Sequence, residues 1–112
     1  MRRRAFEEHV RAALDSLPPE LARALENVAV VVEDENPEDP DLFGLYHGVP
    51  LPERGSGYAG ALPDKISIYR LPLEDEFDDP AELEEEIRIT VLHELAHYFG
   101  FDEDRIAELG YE

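Results

Sequence analysis

Residues 79–100 constrain the fold more than any other stretch of this chain. Asp79-Pro80-Ala81-Glu82 begins a helix in several ways at once. Aspartate suits the N-cap, proline suits the first helical position, and Glu82 completes a capping box. The helical pattern runs to about Phe99, and Gly100 suits the residue just past a helix end. The first half is acidic, whereas the second is apolar on nearly every side, with Ile87, Ile89, Val91, Leu92, Leu95, Ala96 and Phe99. A helix apolar all round is buried, so this segment predicts the central helix of a packed domain.

That buried half contains His93-Glu94-Leu95-Ala96-His97, an H-E-x-x-H sequence. Histidines four residues apart share a helix face and lie about 6 Å apart along the axis. Two unpaired imidazoles are costly to bury, and a shared divalent ion removes that cost. Zinc suits imidazole and carboxylate ligands best. Glu94 is offset by about 100° around the helix, which is poor geometry for a ligand but within reach of a water beside the ion. It is therefore the expected general base of a hydrolytic reaction. Its plainer role is a structural glutamate hydrogen-bonded to a neighbouring strand.

A third ligand is needed. Gly100 allows a sharp turn that brings Asp102, Glu103 and Asp104 back beneath the histidines. The longer pattern H-E-x-x-H-x-x-G-x-x-H puts its ligand three residues after the glycine, which here is Glu103. Asp102 also reads as the N-cap of a last short helix over about 103–109, and Asp104 as a first-turn residue of it. Glu103 is the expected ligand, with Asp102, Asp104 and His47 as alternatives. His9 reads as an ordinary surface or boundary histidine.

The remaining pattern predicts an α+β fold with a small mixed sheet. Phe6, Val10, Ala13, Leu14 and Leu17 mark an amphipathic N-terminal helix over 3–16, stopped by Pro18-Pro19. Glu20 to Asn27 adds a short helical turn. The β-branched run Val28–Val32 suits a central strand covered on both faces. Leu42–His47 reads as a second strand, after an acidic loop from Glu33 to Asp41. Pro52 to Gly60 reads as a loop flanking a cleft. Lys65, Ile66, Ser67, Ile68 and Tyr69 alternate in a proline-bracketed segment, which suits an edge strand. Leu73 to Asp78 reads as an acidic connection.

Composition narrows the partners. A chain of 112 residues reads as one domain, 1–112, with one modest core. Its 28 acidic and 10 basic residues give a net charge of -18. Most of that charge is expected on solvated surface. It disfavours nucleic acid and anionic membranes and favours basic partners or peptides. With 43% hydrophobic residues the chain can still order a core. The absence of cysteine excludes disulfides, thiolate zinc sites and thiol catalysis. Met1–Glu8 carries no apolar stretch after its arginines and does not read as a secretory signal, so a cytoplasmic protein is expected. No segment approaches the length of a membrane span.

The run from His93 to Tyr111, with Gly44-Leu45-Tyr46-His47-Gly48-Val49-Pro50 and Leu62–Tyr69 upstream, resembles the small bacterial zincin-like proteins known as minimal zincins. The resemblance covers residues 42 to 111. It implies a compact zincin core with an active-site helix and a backing helix, and metallopeptidase activity dependent on Zn2+. The family usually carries aspartate three residues after the glycine, where this chain has Glu103. The only methionine is Met1, so a metzincin Met-turn is excluded. By the same resemblance, Lys65, Ile66, Ser67, Ile68 and Tyr69 form the edge strand that holds an extended peptide, and free backbone groups there would set its register. Tyr46, Tyr69 and Tyr98 read as core or rim aromatics, or as hydrogen-bond donors to a transition state. The expected activity is hydrolysis of peptide or unfolded-protein substrates. The alternative is a non-catalytic zinc-binding interaction module, with the ion stabilising the fold and His47 as a fourth ligand.

Overall fold

A computed structural model describes residues 1–53, 64–108 and 110. Its elements are α1 (Arg3–Asp15), α2 (Pro19–Ala24), β1 (Val28–Glu33), β2 (Gly44–His47), β3 (Asp64–Tyr69), α3 (Arg70–Glu76), α4 (Pro80–Tyr98) and α5 (Glu103–Glu108), with short 3-10 turns at Leu25–Asn27 and Leu51–Glu53. Helices around a small mixed sheet make this the expected α+β fold. No helix is long and apolar enough to cross a membrane among the described residues.

The helix that organises the molecule is α4, and its sequence signals are met at both ends. The Asp79 side chain accepts a hydrogen bond from the backbone N–H of Glu82 at 3.1 Å, and Pro80 opens the helix. Leu83, Ile87, Val91 and Leu95, each four residues apart, form one fully buried ridge. Burying each such side chain contributes about 1.5–3 kcal/mol over leaving it exposed. This ridge belongs to the core that also takes Phe6, Val10 and Ala13 from α1 and Ile66 and Ile68 from β3. The expected N-terminal helix thus packs against α4, where His9 Nδ1 also lies 2.5 Å from Glu84 Oε2.

The sheet corrects two strand expectations. Its order is β1-β3-β2, so β3 is central and β1 lies at an edge. β1 pairs with β3 in parallel, from Val28 opposite Asp64 to Glu33 opposite Tyr69. β2 pairs with β3 antiparallel, from Gly44 opposite Ile68 to His47 opposite Lys65. Alternation along β3 misled because its polar positions face a covered side too. Ser67 is fully buried and bonds His47 Nε2 through Oγ at 3.1 Å. The Tyr69 hydroxyl accepts from Asn36 Nδ2 at 3.0 Å, and Asn36 Oδ1 in turn fixes the acidic loop through the N–H groups of Glu38 and Asp39. Alternating polar residues report the chemistry of a face, not the position of a strand in the sheet. In β1, Ala29 is exposed and Val30–Val32 are half-buried, so the valine run covers an edge rather than a centre.

The expected connection after β3 is instead a helix. α3 begins at Arg70 and carries Pro72 within its first turn, where a backbone N–H has no helical partner to lose. Arg70 binds Asp34 Oδ1 and Glu74 Oε2, and Leu73 enters the core. Most of the loop expected at Pro52–Gly60 lies outside the described residues, as do Leu62, Pro63 and the Leu109 and Tyr111 positions at the C-terminal end.

Candidate metal centre

The last two turns of α4 present His93 and His97 on one face, their ring centroids 5.1 Å apart and edge to face. The helix then stops in a Schellman turn. The N–H of Gly100 bonds the His97 carbonyl at 2.9 Å, and the N–H of Phe101 bonds that of Ala96 at 3.0 Å. Gly100 has φ +89°, and a Cβ there would fall 2.5 Å from Pro52 Cγ. Both the left-handed backbone and the close approach require glycine.

Two residues later Asp102 caps α5, its Oδ1 accepting from the N–H of Arg105 at 2.8 Å. That task occupies Asp102. Glu103 Oε1 lies 2.8 Å from His97 Nε2 and 3.5 Å from His93 Nε2. Among the described residues the group able to hold a metal is His93, His97 and Glu103, with ligand atoms all within 4.8 Å of one another. A tetrahedral ion with bonds of about 2.1 Å separates its ligand atoms by about 3.4 Å, so the spacing fits one small ion. Two imidazole nitrogens and a carboxylate oxygen also match the donor set of open zinc sites. Asp104 lies outside the group, in the first turn of α5. His47 is outside it too, facing Ser67, and burial and the Lys65 charge hold its pKa below the ordinary value.

Glu94 is anchored to a neighbouring strand, and its other oxygen is turned toward the histidines. Its Oε1 accepts a hydrogen bond at 3.0 Å from the backbone N–H of Tyr46 in β2. Its Oε2 lies 3.9 Å from His93 Nε2, on the side of the ligand cluster. The residue is buried. Burial pushes its carboxyl above the ordinary pKa, the charges of His93 and His97 and the Tyr46 N–H pull it down, and Glu103 pushes it up again. A carboxylate held by one oxygen and raised in basicity is suited to proton transfer.

The segment expected to hold a peptide cannot do so by strand pairing. Lys65, Ile66, Ser67, Ile68 and Tyr69 are paired on both backbone edges, and all but Lys65 are buried. Lys65 Nζ lies 3.8 Å from Glu33 Oε1. The strand beside α4 at the sheet edge is β2, and its outward N–H at Tyr46 is the one that Glu94 takes. The three tyrosines each meet a partner within the fold. The Tyr46 hydroxyl donates to Asp64 Oδ2 at 2.8 Å, Tyr69 meets Asn36, and Tyr98 is buried against Tyr46.

Sequence reasoning allowed Glu94 a hydrogen bond to a neighbouring strand but did not identify β2 or the Tyr46 N–H as the partner. Gly44 was the available signal, since glycine inside a strand often marks a close approach. A Cβ at Gly44 would lie 2.6 Å from Thr90 Cγ2 on α4 and 3.6 Å from Glu94 Cγ. Its absence lets strand and helix approach closely enough for the Tyr46–Glu94 bond.

A family model described as zincin-like metallopeptidase matches residues 25–111. No curated protein matches the chain in a sequence comparison.

Proposed function

The chain belongs to the zincin-like metallopeptidase family, and on that premise we propose that it hydrolyses peptide bonds as a zinc-dependent peptidase. The observation that carries this is the convergence of His93 Nε2, His97 Nε2 and Glu103 Oε1 beside a buried, anchored carboxylate. His93, His97 and Glu103 would hold the ion. Zinc bound there would supply Lewis-acid polarisation of the scissile carbonyl and would acidify water.

Glu94 does the proton work. Its Oε2 takes a proton from the attacking water as the new C–O bond forms, then gives that proton to the amine as the C–N bond breaks. The Tyr46 N–H keeps Oε1 in place, so the carboxylate need not reorient between the two transfers. Substrates are peptides or unfolded proteins, with basic ones favoured by the net charge of -18. The alternative of a non-catalytic zinc module called on His47 as a fourth ligand. The engagement of His47 with Ser67 favours the peptidase.

The test uses zinc-loaded protein and a mixture of unstructured peptides. Glu94→Gln should keep stoichiometric zinc and lower the cleavage rate by about 10²–10⁴-fold. Full cleavage by that variant would refute Glu94 as the base.

A further inference from the structure

We propose that a cavity beside Glu94 receives a lysine or arginine side chain from a residue flanking the scissile bond, and that Glu86 selects it; this deepens, and rests on, the peptidase function proposed above. The cavity has a volume of about 250 Å³. Leu42 and Phe43, at the entry to β2, and Ile89 on α4 form apolar walls. His93 and Glu94 line it toward the metal group, and Glu86 lines it further back along the helix. Glu86, Ile89 and His93 fall at i, i+3 and i+7, so they share a face of α4. Seven residues put Glu86 about 10 Å before His93 along the axis.

The occupant must therefore be long, apolar along its stem and charged at its tip. Lysine and arginine meet all three demands, since their methylene stems lie on apolar surface while the cation reaches a polar partner. An acidic side chain would face Glu86 across the cavity. A wholly apolar one would cover that carboxylate without pairing it, which is costly. Among the described residues no cation pairs with Glu86. Arg88 bonds Glu85 instead, at 3.1 Å. Burial, together with Glu85 and Glu82, pushes the Glu86 carboxyl above its ordinary pKa, and a bound cation would relieve that. Phe43 also lines a second cavity of about 540 Å³ that carries Glu35, Asp41, Asp75 and Glu76, so the field on this side of the site favours positive charge. Gly44 matters here as well, since a Cβ at that position would press on Thr90, another lining residue.

The test compares peptides identical except for arginine, norleucine or glutamate at the residues flanking the scissile bond. Zinc-loaded protein should cleave the arginine peptide with a kcat/KM about tenfold or more above the norleucine peptide, the scale of one charge-assisted hydrogen bond. Glu86→Gln should remove that preference by lowering kcat/KM for the arginine peptide toward that of the norleucine peptide, and Glu86→Lys should turn it toward glutamate. An arginine preference that survives Glu86→Gln, or an equal loss on every peptide, overturns the assignment. Calorimetry on Glu94→Gln protein separates the two levels. Tighter binding of the arginine peptide, abolished by adding Glu86→Gln, upholds the subsite even if no peptide is cleaved, in which case the peptidase function falls alone. Equal binding of arginine and norleucine peptides overturns the subsite.

Discussion

Glu94 and Glu103 approach the same two histidines from regions built in different ways. The Glu94 side chain is 10% exposed, rooted in the buried half of α4 and tied to β2 by the Tyr46 N–H. Glu103 is 68% exposed and sits at the start of the six-residue α5. A helix that short is not stable alone. Its position depends on the Schellman turn at Gly100, the contact of that turn with Pro52, the Asp102 cap and the burial of Ile106. The proposed base is thus positioned by the core, and the proposed third ligand by local devices at the surface. A residue that must hold its position through a proton transfer gains from rigid support. A ligand on a lightly held segment lets ion binding and the ordering of that segment reinforce each other.

The contrast is most exposed to failure at Glu103. Glu103→Ala should weaken zinc binding by more than the roughly 10–100-fold typical of an outer-shell partner, measured by competition with a chelator, while the unfolding midpoint of the metal-free protein barely moves. A metal-free protein strongly destabilised by that change would mean that Glu103 belongs to the core scaffold after all.

Gly44→Ala probes the other side. The added Cβ would meet Thr90 Cγ2 at 2.6 Å and the Ser67 carbonyl at 3.0 Å. Overpacking of this kind costs about 1–3 kcal/mol, so thermal unfolding should shift down while zinc affinity stays near that of the parent. Catalysis should fall with it, because β2 carries the N–H that holds Glu94. Zinc affinity that drops as far as in Glu103→Ala would erase the distinction between the two regions.

The two helix caps offer a milder comparison. Asp79→Ala and Asp102→Ala each remove an observed cap bond worth about 1 kcal/mol. The first should lower stability and leave zinc affinity intact. The second should lower zinc affinity several-fold, since Glu103 follows that cap directly. Chemical denaturation and zinc titration on both variants check this, and identical zinc affinities would show that α5 needs no cap to present its ligand.

The smallest effect is in the pH dependence of the metal-free protein. Burial raises the Glu94 pKa in the folded state. The folded state then holds that proton more tightly than the unfolded chain does. The penalty from the charged form is present above the raised pKa and is relieved as pH falls toward the ordinary carboxylate range. Metal-free protein should therefore gain stability on acidification through that window relative to Glu94→Gln. Parallel stability curves for the two proteins would show that β2 fully offsets the cost of burying Glu94.

Much of the site was legible in the sequence, and little of the sheet was. The caps of α4, the histidine pair and the glycine turn all depend on residues within a few positions of each other. Their meaning survives without knowledge of the rest of the chain. Asp102 was recognisable as a cap, and the cap explains why Glu103 rather than Asp102 joins the histidines. Strand order was not legible in this way. Val28–Val32 looked central and lies at an edge; Lys65–Tyr69 looked like an edge and lies at the centre. α3 hid behind Pro72, a residue that a first helical turn tolerates.

Local pattern alone specified a buried, capped helix with two imidazoles on one face and a carboxylate brought back by a glycine turn, because hydrogen bonds and side-chain spacing within a helix are local. Packing between distant segments put β2 beside that helix, let its Tyr46 N–H hold Glu94, and made Phe43 and Glu86 border one cavity. Those contacts join residues more than forty positions apart. They depend on which strand edges meet and how closely strand and helix approach, and neither property is carried by the pattern of any single segment.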